Sequence, residues 1–251
     1  MAESLAGKTA LVTGAAKRVG RAVALALAGE GVNIVVHYHD SRTEAEELCR
    51  EIAQCKVRAW AIAADLSVAE EYENLITRAH ELAGTLDILV NNASIFPAET
   101  LDTVTRESMI TNLEVNAWAP FVLSRDFAQR YGRGKIINML DSRLRGYDWT
   151  HVGYIISKHA FEQLTRLCAL QYAPRITVNG VGPGLILPPP GEDISYIKRL
   201  QHTVPLQRHG DPQDLAEAVV FLAKSSYITG TTIYVDGGRH LQEYNGGSNP
   251  H

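Results

Sequence analysis

The sequence predicts an α/β fold in which a single doubly wound, parallel sheet carries helices on both faces. Three observations lead there. Short apolar runs rich in Val and Ile recur along the 251 residues, stretches with helical apolar spacing fall between them, and no hairpin signal joins one run to the next. Parallel neighbours require crossover connections, and a helix that buries one face on the sheet is the usual crossover.

The elements follow in order. Thr9 to Val12 reads as a strand and Arg18 to Gly29 as its helix; Asn33 to Tyr38 and Ser41 to Gln54 repeat the unit. Val57 to Asp65 is a strand, Val68 to Ala83 a helix, Leu86 to Asn91 a strand, and Arg106 to Tyr131 a long helical region. Lys135 to Leu140 and Ile176 to Val181 are strands separated by a helix over Gly153 to Tyr172. A helix over Asp211 to Ala223 opens on Asp-Pro, an N-cap followed by a residue preset for the first turn, and Thr231 to Val235 closes the sheet. No low-complexity linker or longer repeat interrupts the alternation. Residues 1–240 are therefore expected to form one domain, with 182–201 a loop and short helix over the sheet and 241–251 a flexible tail.

Composition narrows the partners. With 24 basic and 28 acidic side chains the net charge is -4, so no basic field supports binding to a duplex nucleic acid or an anionic membrane. No apolar run approaches membrane-spanning length, and Met1 to Gly7 lacks the charged start and apolar segment of a leader, which predicts a cytoplasmic protein. Cys49, Cys55 and Cys168 are odd in number and lack ligand spacing; they read as reduced packing residues, and no metal is expected. Trp60, Trp118 and Trp149 read as core or interface aromatics.

In a doubly wound sheet ligands bind beyond the carboxyl ends of the strands where strand order reverses, so the turn after the first strand comes first. It reads Thr13-Gly14-Ala15-Ala16-Lys17-Arg18-Val19-Gly20. Gly14 and the small residues after it admit a pyrophosphate, Gly20 lets the helix approach the strand, and the helix start with Lys17 and Arg18 supplies N–H groups and positive charge. The second strand ends in His37-Tyr38-His39-Asp40-Ser41-Arg42. Tyr38 stands where a carboxylate selecting NAD is expected, while His39, Ser41 and Arg42 suit a 2'-phosphate; NADP is predicted, with Asp40 as the opposing charge.

Tyr154 and Lys158 are four apart and project from one helix face. A phenol with a reference pKa of about 10 exchanges protons near neutrality only with positive charge beside it, which an ammonium supplies.

Taken together, Thr13-Gly14-x-x-x-Arg18-x-Gly20, Asp65-Leu66, Asn91-Asn92-Ala93, Asn116, Tyr154-x-x-x-Lys158 and Pro183-Gly184 resemble the motif set of the short-chain dehydrogenases/reductases over about residues 5–240. The resemblance implies a Rossmann-type sheet, Asp65 and Leu66 at the adenine, Asn91 to Ala93 supporting the cofactor wall with Asn92 and Ala93 at the cofactor, and Pro183 and Gly184 at the cofactor. It also implies that Asn116 holds a proton-relay water at a helix kink, and that the chain forms a homotetramer through the helices over 106–131 and 153–172.

Two positions depart from the commonest pattern: Arg18 stands where Gly is usual, and Asp141, thirteen residues before Tyr154, stands where a catalytic Ser is usual. With His37-Tyr38-His39, Ser94 to Phe96 and the closing Asp236-Gly237-Gly238-Arg239, these resemble the pteridine reductase subgroup. That resemblance implies a pterin sandwiched between Phe96 and the nicotinamide, polar contacts from Arg18, Ser94 and Asp141, and NADPH-dependent reduction of a dihydropterin to the tetrahydro form. A planar ring rich in nitrogen suits one stacking surface with donors at its edge. Asp141, desolvated beside a phenol, is expected to have a raised pKa and to help Tyr154 deliver a proton. Two alternatives stand beside this. One is reduction of a ketone or 3-oxoacyl thioester, with Ser142 replacing Asp141 and Phe96 only packing; the other is a regulator that binds the cofactor without turnover.

Overall fold

The computed structural model describes residues 3–146, 148–189 and 191–241. Its seven strands are β1 (Thr9–Val12), β2 (Asn33–Tyr38), β3 (Ala59–Ala63), β4 (Ile88–Asn91), β5 (Gly134–Met139), β6 (Ile176–Pro183) and β7 (Thr232–Val235). They form one sheet in the order β3-β2-β1-β4-β5-β6-β7, with every neighbouring pair parallel. The chain winds outward from β1 to β3, then returns to place β4 on the other side of β1. That reversal opens a crevice above the carboxyl ends of β1 and β4.

Side chains alternate across the sheet and so build two cores. Ala10 and Val12 of β1 and Ile34 and Val36 of β2 pack with α1 (Arg18–Gly29), α2 (Arg42–Ala53) and a later helix over Pro212–Lys224. Leu11 and Val35, between them, point the other way, to the helices that follow β3, β4 and β5. Strands buried on both faces carry the continuous apolar runs seen in the sequence. β7, at the edge, is half-buried throughout.

The structure divides two stretches that read as single helices. The first becomes α3 (Ala69–Tyr72) and α4 (Leu75–Ala83), because Asn74 turns its side-chain amide to the Glu70 carbonyl at 2.7 Å and competes with the helical backbone. The second becomes α5 (Arg106–Leu113), a π-helical turn over Glu114–Trp118, and α6 (Ala119–Tyr131). Pro120 has no N–H to return to the carbonyl of Asn116, and a widened turn accommodates the loss. Downstream lie α7 (Val152–Tyr172), α8 (Ile194–Leu200) within the expected loop, and α9 (Pro212–Lys224), whose N-terminus is closed by a reciprocal Asp211–Asp214 capping box.

β6 runs two residues further than expected, to Pro183. Leu241, placed at the start of the expected flexible tail, belongs to a 3-10 turn over Arg239–Leu241; residues 242–251 lie outside the described residues. Among the described residues no helix is long and apolar enough to cross a membrane, and no cluster of three or more potential metal ligands occurs.

One close approach fixes the crevice. Gly20 lies where α1 meets the first turn; a Cβ there would press on the Gly14 carbonyl oxygen and come within 2.6 Å of Asn92 Nδ2. Gly20→Ala is therefore expected to lower stability by about 2 kcal/mol, by the cost of forcing atoms into a packed interior. Gly29→Ala, with no atom within 4 Å of the new methyl, should be neutral or slightly stabilising, and thermal melting of both variants checks the contrast.

Candidate active site

A cavity of about 950 Å³ occupies the crevice, running from the Gly14 turn and the end of β2 to Phe96, Arg143 and Tyr154, with Leu187 and Pro189 at its rim. Its phosphate end is built by mutual hydrogen bonding between the ends of β1 and β4. Thr13 Oγ1 accepts from the Asn92 and Ala93 N–H groups at 2.9 and 3.0 Å, and Asn92 Nδ2 donates to the Thr13 and Gly14 carbonyls at 2.9 and 3.1 Å. Gly14 adopts φ +60°, which frees its N–H for an inward bond to His37 Nδ1 at 3.0 Å.

His37 Nε2 donates to the Ala64 carbonyl at 3.0 Å, so both ring nitrogens are spent inside the protein. Burial pushes its pKa down to about 4, and the ring is neutral with the proton on Nε2. His37 lines the cavity beneath the turn and props it from below. Lys17 pairs with Glu44 at 2.7 Å, His39 faces Asp65 at 3.4 Å, and Asp40 accepts from the Ser41 hydroxyl at 3.0 Å. Arg18 sits in the left-handed region at φ +55° and reaches across the cavity to donate to the Pro188 carbonyl at 2.6 Å.

Val19, Tyr38, Asp65, Leu66, Asn92 and Ala93 line the cavity. Pro183 and Gly184 do not: the Gly184 N–H donates to Val235 O at 3.0 Å, and its Cα is packed on Asp236. A glycine cradle at the start of a helix, cationic side chains at its rim and an elongated cleft beyond it fit a dinucleotide.

At the other end, Tyr154 and Lys158 occupy the first turns of α7. The Tyr154 hydroxyl donates to Asp141 Oδ2 at 2.7 Å, and Lys158 Nζ donates to the Met139 carbonyl at 2.8 Å while lying 5.7 Å from the Tyr154 ring centre. Ser142, the alternative to Asp141, is buried at the start of a 3-10 turn, and the phenol is directed to Asp141 instead. Asn116 lies in the π-helical turn. Its Oδ1 accepts from Ser94 Oγ and the Ile95 N–H, both at 2.9 Å, and its Nδ2 donates to the Ile95 carbonyl and Ser157 Oγ, both at 3.1 Å. Asn116 thereby ties the loop after β4 to α7 from behind the cavity, which Ser94 lines.

Sequence reasoning missed Arg143. Its guanidinium donates to both oxygens of Asp141, from Nε at 3.0 Å and Nη2 at 2.7 Å, and from Nη1 to Asp148 Oδ2 at 2.5 Å. It lies over the rings of Phe96 and Tyr154, 4.7 and 5.3 Å from their centres. Phe96 also meets His151 face to face, with centroids 3.8 Å apart and planes at 12°, so part of the surface expected to stack a pterin is covered. An Asp-x-Arg pair is ordinary on exposed loops, and only its burial marks this one.

Arg143 also reverses one electrostatic expectation. Burial pushes the Asp141 carboxyl upward, but the adjoining guanidinium and its hydrogen bonds outweigh it and hold the pKa below the ordinary carboxylate value. Asp141 is thus an ionised acceptor rather than the acid expected from its desolvation. Burial and the Asp141 charge together raise the Tyr154 phenol well above its usual range. Burial lowers Lys158 to about 8, against the pull of Asp141. Near neutrality Tyr154 and Lys158 both hold their protons, and Asp141 is the ionised partner.

Comparisons with known proteins agree with this arrangement at the level of family. A family model described as enoyl-(acyl carrier protein) reductase matches residues 14–240. The chain is 34% identical over 242 residues to 3-oxoacyl-[acyl-carrier-protein] reductase FabG of Staphylococcus epidermidis, covering 93% of this chain and 99% of that protein. It is 36% identical over 253 residues to 3beta-hydroxysteroid dehydrogenase 1 of Eggerthella lenta, covering 96% and 97%. Among solved structures, FolM alternative dihydrofolate reductase 1 from Brucella canis, complexed with NADP, superimposes with a TM-score of 0.89 at 28% identity, covering 99% of this chain and 100% of that one.

The His37 prop has a pH signature. Its folded pKa of about 4 lies below the unfolded value near 6.5, so the unfolded chain takes up the proton first and stability falls as pH drops between the two. The loss amounts to about 3 kcal/mol. His37→Leu is expected to be less stable at neutral pH by about 2 kcal/mol, through the orphaned Gly14 N–H and Ala64 carbonyl, and to show a shallower loss on acidification. Urea titrations at a series of pH values check both.

Proposed function

Because the chain belongs to the short-chain dehydrogenase/reductase family of oxidoreductases, we propose that it binds NADP and reduces dihydropterins to tetrahydropterins in the cytoplasm. The observation that carries this reading is the bond between the Tyr154 hydroxyl and an ionised Asp141. A hydroxyl at that position would donate a second hydrogen bond to a ketone oxygen. A carboxylate has no proton to donate there, and this one is turned onto Arg143 and Tyr154 behind the cavity wall, so the site lacks the second hydroxyl donor that a ketone oxygen would use and suits a ring nitrogen protonated by a single donor. The NADP-bound FolM structure supports the choice of both cofactor and substrate class.

The dinucleotide would rest on the Gly14 turn, with Lys17, Arg18 and Val19 at its phosphates and Tyr38, His39, Ser41, Asp65 and Leu66 around its adenosine end. When bound, NADPH supplies hydride. Tyr154 is a phenol near neutrality, and its hydroxyl, turning from Asp141 to the substrate, gives its one proton to a ring nitrogen and becomes phenolate. Lys158, largely protonated at that pH, offsets the charge left on the phenol. Asn116 keeps Ser94 and Ile95 in register with α7, and Arg18 and Ser94 contribute donors at the cavity wall. A homotetramer through α7 is part of the proposal, supported by Leu167 and Leu170, which are 59% and 79% exposed on that helix.

One observation favours a second reading, reduction of a ketone or 3-oxoacyl thioester: His151 already stacks on Phe96, as it would if that ring only packed.

NADPH oxidation measured with dihydrobiopterin, dihydromonapterin and dihydrofolate, against a 3-oxoacyl thioester, separates the two. Turnover on a dihydropterin alone is expected, and turnover on the thioester alone overturns the proposal. Tyr154→Phe is expected to lower kcat on the preferred substrate by about a hundredfold or more, the usual scale for losing a positioned proton donor.

A further inference from the structure

Arg143 is a charged side chain, 15% exposed, lying within the active-site wall. Burying a guanidinium is costly unless its donors are satisfied by anions in good geometry, and here two carboxylates do that from opposite ends of one short segment. Asp141 also caps the 3-10 turn that begins at Ser142, accepting the Arg143 backbone N–H at 2.8 Å. Side chain and backbone of Arg143 therefore grip the same carboxylate, leaving Oδ2 aimed at the Tyr154 hydroxyl.

We propose that Arg143 is a positioning residue for the proton donor: clamped between Asp141 and Asp148, it keeps Asp141 a carboxylate oriented to accept from Tyr154, and so fixes the phenol that faces the substrate. The inference rests on Tyr154 serving as the proton donor and holds for a pterin or a ketone substrate alike. The charged and titratable groups facing Asp141 are Arg143 from its own turn and Tyr154 and Lys158 from α7. Asp148 and His151 act one step further out: Asp148 Oδ2 also meets His151 Nδ1, at 3.2 Å. Lys158 is committed to the Met139 carbonyl, so Arg143 is the cation that touches Asp141. Without the Arg143 side chain the buried carboxyl loses its contacting counter-charge and two of the three hydrogen bonds from that residue, keeping only the one from its backbone N–H, and its ionisation moves toward neutrality.

Two readouts on the full-length protein test this. The first is the pH dependence of kcat on whichever substrate the wild type turns over. Arg143→Met is expected to acquire a new acid limb, with kcat falling about tenfold on going from about pH 8 to about pH 6, where the wild type changes less than about twofold, because a protonated Asp141 is a weaker acceptor that can turn its own O–H on the phenol and no longer holds Tyr154 in one orientation. Arg143→Lys, which keeps the charge but not the two-point grip, should retain the wild-type profile at a lower rate.

The second readout needs no substrate. In Arg143→Met the folded-state pKa of Asp141 lies above its unfolded value, so the folded protein holds the extra proton and thermal stability rises as pH falls through that range. The wild type lacks this gain, and so should Arg143→Met combined with Asp141→Asn. A kcat profile of unchanged shape in Arg143→Met, or a stability gain that persists in the double variant, overturns the proposal. If Arg143→Met does not fold, a displaced profile in Arg143→Lys overturns it. If the wild type turns over none of the substrates, the reading of function fails while the melting comparison still decides the role of Arg143.

Discussion

The parallel pairing of β1 with β4 is the constraint on which the site depends. It aligns Ala10, Leu11 and Val12 with Ile88, Leu89 and Val90, and so brings Thr13 and Gly14 beside Asn92 and Ala93 although nearly eighty residues separate them. Thr13 Oγ1 and the Asn92 side chain then satisfy the backbone groups that both strands leave unpaired as they end. Every later feature of the phosphate end, from the left-handed Gly14 to the buried imidazole beneath it, presupposes that alignment. A slip of one residue would turn Leu11 toward α1 and Val12 toward α4, exchanging the two cores.

The chemistry end follows a different logic. The sheet brings Asp141, just beyond β5, close to α7, but the ionisation states there come from local charge rather than topology. Asp141 and Asp148 are buried carboxylates made tolerable by one guanidinium, and the phenol between Asp141 and Lys158 takes the protonation state that their balance dictates. The arrangement is anisotropic. Toward the cavity it presents Tyr154 and Arg143, while the carboxylates of Asp141 and Asp148 are turned into the protein.

Much of this was legible in the residues. Strand positions follow from Val and Ile runs because strands buried on both faces have nowhere to place polar side chains; the Gly14 turn, Tyr154 and Lys158 are recognisable by residue type and spacing, and Asn92 by its resemblance to a family motif. What escaped the sequence has a common cause. Arg143, Asp148 and His151 lie on an irregular segment between β5 and α7, where no periodicity says which side chains are buried. The propping role of His37 is hidden for a related reason: alternation places its side chain on one face of β2, but only the path of the first turn shows that the Gly14 N–H meets its ring. The raised pKa expected for Asp141 followed from its desolvation alone, and the cation that reverses it stood two residues away, unmarked.

The π-helical turn at Glu114–Trp118 changes the phase of a helix. Successive residues of a regular helix are about 100° apart, so one additional residue within a turn rotates everything after it by roughly that angle relative to what came before. Upstream of the turn Thr111 faces the cavity, and downstream Val122, Leu123 and Phe127 face the core. A single uninterrupted cylinder would have to compromise between these two directions; the wide turn lets one continuous stretch of chain serve as site wall and as core packing, each at its own azimuth.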